Sequence, residues 1–193
     1  WMPWTQSRNK ESFLLGLNLI VATLPIVLVG LIASDFAESR STNIDSIAWA
    51  NLIFAGLLYA AFKSSRQSKS LAELTLFAAL IIGCFQALAI FPGASRSGMA
   101  ITGALIIGLN IKDTSRFAFL LSIPTILGAL VLMVAKGAYS ISFSDMLVML
   151  TGFIGSAFIA FITIKSFLQF VEKIGMTPFV IYRVALGALL LLI

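Results

Sequence analysis

A polar run separates two apolar stretches near the middle of the chain. It reads Pro92-Gly93-Ala94-Ser95-Arg96-Ser97-Gly98. Arg96 presents a planar fork of donors that matches phosphate oxygens two at a time, and Ser95 and Ser97 add hydroxyl donors. Gly93 and Gly98 permit backbone angles closed to other residues, so backbone N–H groups can face an anion where the next helix begins. These residue types at this spacing predict an oxyanion receptor, with phosphate as the favoured ligand.

Arg96 also allows a plainer interpretation. A loop at a membrane interface can hold an arginine that snorkels to water, with the serines serving only as helix caps. We favour the receptor because a charge at membrane depth costs at least about 2.5–3.5 kcal/mol and usually has a function. Gln86, ten residues before Arg96, is a candidate either to bind the same ligand or to bond a neighbouring helix.

Groups for acid–base chemistry or metal binding are scarce in this sequence. It has no histidine and eight acidic residues, and every acidic residue lies in a connection or at the end of an apolar segment. Glu73 and Asp113 flank the segment around Arg96, but we interpret both as solvated residues. A metal-dependent hydrolase needs oxygen ligands beside its phosphate, so these residues predict no metal site. The single cysteine, Cys84, excludes an intrachain disulfide and is expected to be buried.

The composition sets the class of protein. Of the 193 residues, 60% are hydrophobic and only 11% are charged, and the mean hydropathy is +1.04. A soluble domain carries about 25% charged residues, so a water-soluble globule and a disordered chain are both excluded. The 13 lysines and arginines are scattered between apolar runs and form no basic face, which excludes a nucleic-acid partner.

Seven apolar segments must position the polar run. They cover residues 13–33, 47–62, 74–91, 99–111, 117–135, 146–164 and 175–193. A helix needs about 17–25 residues to cross a bilayer, and the segment 99–111 is too short for that. We therefore predict an all-α, multi-pass transmembrane protein with a single domain over residues 1–193. Within it we predict a re-entrant helix-loop-helix with its loop at about 92–98. Irregular backbone at membrane depth must pack in protein or line a wet cavity.

The basic residues give a first topology. If the first segment runs outward and the chain then alternates, nine of them fall on one side, which the positive-inside bias makes the cytoplasmic one. They are Arg8, Lys10, Lys63, Arg66, Lys69, Lys112, Arg116, Lys165 and Lys173. This assignment requires that the 74–111 region cross the membrane an even number of times. The loop at 92–98 then faces the outer leaflet.

A faint internal repeat also runs through the chain. Pro25 matches Pro124 at an offset of 99 residues, and Gly56 matches Gly155 at the same offset. Inverted repeats with broken helices are common in transporters, and we expect such an architecture here. An inverted repeat of this pair requires an odd number of crossings between the two prolines, which conflicts with the charge pattern.

Two features near the C-terminus have mainly structural interpretations. Arg183 interrupts the last apolar segment, and we favour a side chain that snorkels to the interface. Gly152, Ser156 and Ala160 lie four residues apart and predict close packing against another helix.

The polar run and four other stretches resemble one known family, the bacterial undecaprenyl-diphosphate phosphatases of the bacitracin-resistance type. Gly83-Cys-Phe-Gln, followed by Phe-Pro-Gly-Ala-Ser-Arg-Ser-Gly up to Gly98, is similar to the family's second signature, PGxSRSGxT. The other similar stretches are the early Ala-Thr-Leu-Pro at 22–25, Phe117-Ala-Phe-Leu-Leu-Ser-Ile-Pro124, Ile164-Lys-Ser-Phe-Leu168 and Pro178-Phe-Val-Ile-Tyr-Arg183.

The resemblance implies a membrane hydrolase that removes the terminal phosphate of a C55 lipid diphosphate and thereby recycles the carrier lipid for the cell wall. It implies a location in the bacterial plasma membrane, action from the outer face, inverted repeats, and a divalent cation, Mg²⁺ or Ca²⁺. A homodimer is a further expectation. Ser95 and Arg96 carry over as catalytic residues. The substrate-binding candidates are Gly93, Ser95, Arg96, Ser97, Gly98 and Gln86.

Two departures from the family pattern affect these expectations. Nothing here matches the family's first signature, a glutamate-rich stretch with a histidine, so we expect the chain to correspond to the C-terminal two thirds of a member. Ala100 replaces the threonine that closes the second signature, and Thr102 is the nearest hydroxyl. The alternatives are an inverted-repeat transporter of lipid or solute, and a non-catalytic membrane homologue.

Overall fold

The computed structural model describes residues 3–40, 43–135 and 143–192. Its seven helices are α1 (Pro3–Arg40), α2 (Ile44–Ser64), α3 (Leu76–Ala87), α4 (Arg96–Ile107), α5 (Ile111–Ala135), α6 (Phe143–Ile174) and α7 (Thr177–Leu190), with single 3-10 turns at Leu71–Glu73 and Leu88–Ile90. No β-strand occurs within the described ranges. The prediction of an all-α protein is therefore confirmed, and each predicted apolar segment corresponds to one helix.

Four of these helices are long and apolar enough to cross a membrane, namely Lys10–Ala33, Ile44–Ser64, Ile111–Val134 and Met146–Ile174. Their outward faces are largely apolar and exposed, as in Leu28, Val131 and Phe153. Exposed apolar faces of this extent are stable only in lipid. The protein is a multi-pass membrane protein.

Helices α3 and α4 form a hairpin whose two ends lie together. The Lys69 N–H donates to the Gly108 carbonyl at 3.0 Å, and the Asn110 N–H donates to the Lys69 carbonyl at 2.9 Å. The arms pack closely, because a Cβ built on Gly103 lies 2.9 Å from the Phe85 Cβ. The chain therefore enters and leaves this hairpin at the same end, as the predicted re-entrant element requires, and its even number of membrane crossings stays a prediction.

The length of the arms sets the depth of the loop. Helix α4 has 12 residues, which correspond to about 18 Å at 1.5 Å per residue. A hydrocarbon core is about 30 Å thick. An arm of this length is long enough to pass the middle of a bilayer and too short to cross it, and the depth of the loop at residues 92–98 stays a prediction.

The two acidic residues that flank the segment lie at this base. Asp113 accepts hydrogen bonds from the Leu71 N–H at 2.9 Å and from the Asn110 side chain at 2.9 Å. Glu73 accepts from the Ser70 N–H and hydroxyl, and these donors lower the pKa of Glu73. Both carboxylates lie at the opposite end of the hairpin from the loop at residues 92–98, and both accept hydrogen bonds from backbone N–H groups. We therefore assign neither to the site at the loop.

Several helix ends and their basic residues meet at the base of the hairpin. Lys112 pairs with Glu172 at 2.6 Å, which joins the start of α5 to the end of α6. Gly175, with φ +78°, lies against the Phe62 ring, which joins the end of α2 to the start of α7. Lys63 lies in the last turn of α2, and Arg66 and Lys69 follow the helix at this same end. The charge pattern is thus consistent with the fold, and the cytoplasmic assignment of this end stays a prediction.

The hairpin topology can be checked by cysteine labelling. In a Cys84→Ser background, Lys69→Cys and Lys112→Cys are expected to react with a membrane-impermeant maleimide from the same side of oriented vesicles. Ser46→Cys, at the opposite end of α2, serves as the control and is expected to react from the other side. Labelling of positions 69 and 112 from opposite sides would contradict the re-entrant hairpin.

Two predictions about packing need correction. Cys84 is exposed, not buried, because the buried face of α3 runs through Ile82, Gly83 and Gln86 and Cys84 points away from it. The small-residue stripe begins at Gly152, where an added Cβ would have no neighbour within 4 Å among the described residues. The residues Gly152, Ser156 and Ala160 are exposed on α6, so they pack against no described helix.

The proline repeat does not supply an inverted pair. The offset of 99 residues relates α1 to α5, α2 to α6 and α3 to α7. Because α2 crosses once and the α3–α4 hairpin returns to its own side, α1 and α5 cross in the same direction. Helix α1 also packs extensively on α3, with no comparable α5–α7 packing in the described chain. An inverted-repeat architecture stays a prediction and rests on no pairing of Pro25 with Pro124.

Candidate functional site

The loop between α3 and α4 has one of the two special glycine conformations that the sequence predicts: Gly93 has a positive φ, whereas Gly98 is helical within α4. Gly93 has φ +92° and Ser95 has φ +65°, an uncommon value for a residue with a side chain. The Ser95 hydroxyl oxygen accepts from the Gly98 N–H at 3.2 Å, so Ser95 is the N-cap of α4. A backbone held in such a region costs about 1–3 kcal/mol and persists only where the surroundings enforce it.

Part of that enforcement comes from α2. A Cβ built on Gly93 lies 2.4 Å from the Ile47 carbonyl oxygen, a distance that real Cβ contacts do not reach. The loop backbone therefore lies directly on the α2 backbone, and only glycine permits this contact.

Gly93→Ala is expected to destabilise the protein and to displace the loop. The added methyl group combines a backbone clash with a strained φ, and strain of this kind costs about 1–3 kcal/mol. The measurement is the melting temperature in detergent, compared with Gly56→Ala, whose position on α2 has nothing within 4 Å among the described residues. Equal melting temperatures for the two variants would show that the loop does not rest on α2.

Arg183 on α7 supplies the other constraint on the loop. Its Nη2 donates to the Gly93 carbonyl at 2.7 Å and to the Ala94 carbonyl at 3.1 Å. Its Nε donates to the Asn51 Oδ1 at 2.7 Å. The side chain is buried, with 8% exposure. The interpretation of Arg183 as a snorkelling residue is therefore wrong: acceptors on α2 and on the loop hold the guanidinium inside the protein.

One nitrogen of this guanidinium remains free. Arg183 Nη1 is buried and has no hydrogen-bond partner among the described residues. It lies at the N-terminus of α4, 3.0 Å from the place a Cβ on Gly98 would occupy. A free cationic donor beside the first turn of a helix favours an anion, because the N–H groups of that turn also lack intrahelical acceptors.

A cavity of about 490 Å³ opens at this point. Its polar end is formed by Asn51, Gly93, Ser95, Ser97, Gly98 and Arg183. The rest of the lining is apolar or aromatic: Ile47, Leu58, Ile101, Phe167, Met176, Phe179, Tyr182, Leu186 and Leu190. A cavity with one polar end and a long apolar wall suits an amphiphile that carries an anionic head.

Arg96 does not share this cavity. Its side chain is exposed and lines a second cavity of about 320 Å³ between α1 and α5, with Ile90 and Thr125 among its neighbours. Successive residues at the start of a helix point in different directions. The structure therefore brings Gly93, Ser95, Ser97 and Gly98 together and directs Arg96 to the other side of the loop.

Gln86 and Thr102 lie in the packing beneath the loop. Gln86 is 1% exposed, and its Nε2 has no hydrogen-bond partner in the described ranges. It shares its face of α3 with Gly83, which contacts the Ala22 backbone of α1, and it does not line the larger cavity. The Thr102 hydroxyl donates to the Gly98 carbonyl at 2.7 Å, so it stabilises the first turn of α4 and does not replace the hydroxyl missing at Ala100.

The residues that line the cavity do not fit a divalent cation. Hard cations take carboxylate and carbonyl oxygens, and the lining includes no carboxylate. No group of three or more metal-ligating side chains occurs in the part of the chain that the structure describes. We therefore derive no chemical step through a metal.

Arg183 and Asn51 are the residues that the sequence reasoning missed or undervalued. The available signal was the rule that a charge inside an apolar span is costly and usually functional, which we applied to Arg96 and not to Arg183. Asn51 gave no comparable signal, because a lone amide in an apolar helix is equally consistent with simple helix packing.

The fold and the loop together define a polytopic membrane protein with a helical hairpin whose loop lines a cavity beside a buried arginine. A family model described as "Bacitracin resistance protein BacA" matches residues 1–189, and the chain belongs to this family.

Relatives named undecaprenyl-diphosphatase support the same assignment. The protein of Teredinibacter turnerae is 44% identical over 98% of this chain and 72% of its own length. The protein of Alcanivorax borkumensis is 42% identical over 96% of this chain and 70% of its own length. The protein of Saccharophagus degradans is 41% identical over 97% of this chain and 71% of its own length. The family match covers nearly the whole chain, and the expectation of a C-terminal two-thirds portion is not borne out.

Proposed function

We propose that this protein is an undecaprenyl-diphosphatase, which hydrolyses the C55 lipid diphosphate to the monophosphate and phosphate within the membrane. The observation that carries the proposal is the loop itself. A PGASRSG segment, held by Arg183, presents hydrogen-bond donors at the polar end of an otherwise apolar cavity. The shared family and the names of the relatives support the same substrate.

The cavity suggests how the substrate lies. The diphosphate occupies the polar end, beside the Ser97 hydroxyl and the free Nη1 of Arg183, and the first prenyl units lie along the apolar wall formed by residues such as Phe179 and Leu186. Charge-assisted hydrogen bonds of this kind are roughly twice as strong as neutral ones. Their role is to stabilise the charge on the phosphoryl oxygens during transfer.

Ser95 and Arg96 are our proposed catalytic pair, placed on opposite sides of the same loop. Ser95 caps α4 and lines the cavity, while Arg96 faces the α1–α5 side, where it has no hydrogen-bond partner among the described residues. An unpaired exposed guanidinium at membrane depth is free to turn toward a diphosphate that enters the site. In this proposal Arg96 counters the charge of the transferred phosphoryl group.

Four finer expectations belong to the same proposal. They are a divalent cation that accompanies the diphosphate, location in the bacterial plasma membrane, action from the outer face, and a homodimer. The position of the loop at the end of the hairpin away from the basic end of the molecule supports action from the outer face. Assays with Mg²⁺, with Ca²⁺ and with a chelator address the cation directly.

The test of the proposed function is phosphate release from undecaprenyl diphosphate by the purified chain in detergent. Release is expected for the wild-type protein and for Arg116→Leu, which changes an exposed arginine at the far end of the hairpin. Binding of the lipid diphosphate without release would favour a transporter. The absence of both binding and release would favour a non-catalytic homologue.

A further inference from the structure

Asn51 makes a reciprocal contact with Arg183 that no other residue makes in the described chain. The Asn51 Oδ1 accepts from Arg183 Nε at 2.7 Å, and the Asn51 Nδ2 donates to the Arg183 backbone carbonyl at 3.0 Å. Both residues are buried, with Asn51 at 5% exposure. One side chain amide on α2 therefore fixes both the backbone and the side chain of Arg183 on α7.

This contact determines which way the guanidinium faces. With Nε held by Asn51, the planar group has one remaining orientation in which Nη2 reaches the Gly93 and Ala94 carbonyls. The same orientation leaves Nη1 beside Gly98 and the start of α4. An arginine side chain without such an anchor samples many rotamers, and ordering it has an entropic cost.

We propose that Asn51 is a positioning residue for the anion site: it holds Arg183 so that one edge of the guanidinium fixes the loop and the other edge meets the substrate's phosphate. The catalytic part of this inference rests on the proposed function. Asn51 lines the cavity, but its Nδ2 and its Oδ1 both bond Arg183, so in this proposal it acts on the reaction through Arg183.

The chain offers a matched control in Asn18. This asparagine is also buried, at 3% exposure, and its Nδ2 donates to one backbone carbonyl, that of Leu74, at 2.9 Å. It lies on α1 near the base of the hairpin. Asn18→Leu and Asn51→Leu therefore remove the same amide from similar surroundings, but only Asn51→Leu releases Arg183.

Turnover is the first measurement. Asn51→Leu is expected to lower kcat about 100-fold, as displaced catalytic groups do, with a much smaller change in KM because the prenyl wall is unaltered. Asn51→Asp keeps an acceptor for Arg183 Nε and is expected to retain more activity than Asn51→Leu. Asn18→Leu is expected to keep the wild-type kcat per folded molecule. A kcat of Asn51→Leu within about threefold of wild type, or an equal loss in Asn18→Leu, would overturn the inference.

A second measurement does not depend on activity. Phenylglyoxal modifies accessible guanidinium groups, and mass spectrometry reports its rate at Arg183 relative to the exposed Arg96. Asn51→Leu is expected to raise that ratio severalfold, and Asn18→Leu is expected to leave it unchanged. If the wild-type protein releases no phosphate, the proposed function fails. The modification ratio still tests whether Asn51 positions Arg183, and an unchanged ratio in Asn51→Leu would refute that role.

Discussion

Arg183→Leu is expected to lower the rate of phosphate release about 100- to 1000-fold, the loss typical of removing one donor to a developing oxyanion. The substitution removes the Nη1 group that we place on the phosphate. It also leaves the Gly93 and Ala94 carbonyls without their donor, so the loop loses its attachment to α7. The measurement is kcat and KM for undecaprenyl diphosphate, together with the melting temperature.

Arg183→Lys separates charge from geometry. Lysine keeps the positive charge but presents a single ammonium group, which cannot bond Asn51 and the two loop carbonyls in one plane. We expect the lysine variant to lose most of the activity that the leucine variant loses. Arg116→Leu is the control for loss of an arginine as such. Wild-type turnover in Arg183→Lys would show that only the charge at this position matters.

Arg96→Ala is expected to reduce phosphate release at least about 100-fold while the protein stays folded. Arg96 is exposed and has no hydrogen-bond partner within the described ranges, so its removal breaks no packing or bonding. Its effect on the melting temperature should therefore be small. The measurement pairs turnover with thermal unfolding of the same detergent preparation.

A comparison of Arg183→Leu with Arg96→Ala tests the different roles that we propose for the two arginines. Arg183→Leu is expected to change turnover and loop order together, whereas Arg96→Ala should change turnover alone. Near-normal turnover in Arg96→Ala would mean that an arginine directed toward α1 and α5 takes no part in the reaction. The presence of Arg96 in the cavity between those helices would then have a cause other than catalysis.

The position of the loop was predictable because its residue types are unambiguous. Pro92 cannot continue a helix, Gly93 takes a positive φ, and Ser95 is a favoured N-cap. The short apolar arm after the loop predicted a re-entrant element, since its length falls short of the bilayer thickness. The structure confirms the break at the loop and the Ser95 N-cap, because local conformation is enough to decide them, and the re-entrant placement stays a prediction.

The direction of each side chain was not predictable. Ser95 and Arg96 are neighbours in sequence, and the residue types suggested one cradle for both. Their side chains nevertheless enter different cavities, because the first turn of α4 rotates each residue by about 100° relative to the last. How α4 is turned against its neighbours depends on the close contact of Gly103 with Phe85 and of Gly93 with Ile47, both between distant parts of the chain.

The sequence by itself determined the membrane environment, the helices and the position of the loop between them, because these follow from local hydropathy and backbone preference. Only the tertiary structure decided which residues meet at the loop. Asn51 and Arg183 are 132 residues apart, and the carbonyls of Gly93 and Ala94 come from a third segment. A buried arginine must satisfy its donors wherever acceptors are brought to it, and the packing of α2, α7 and the hairpin determines which acceptors those are.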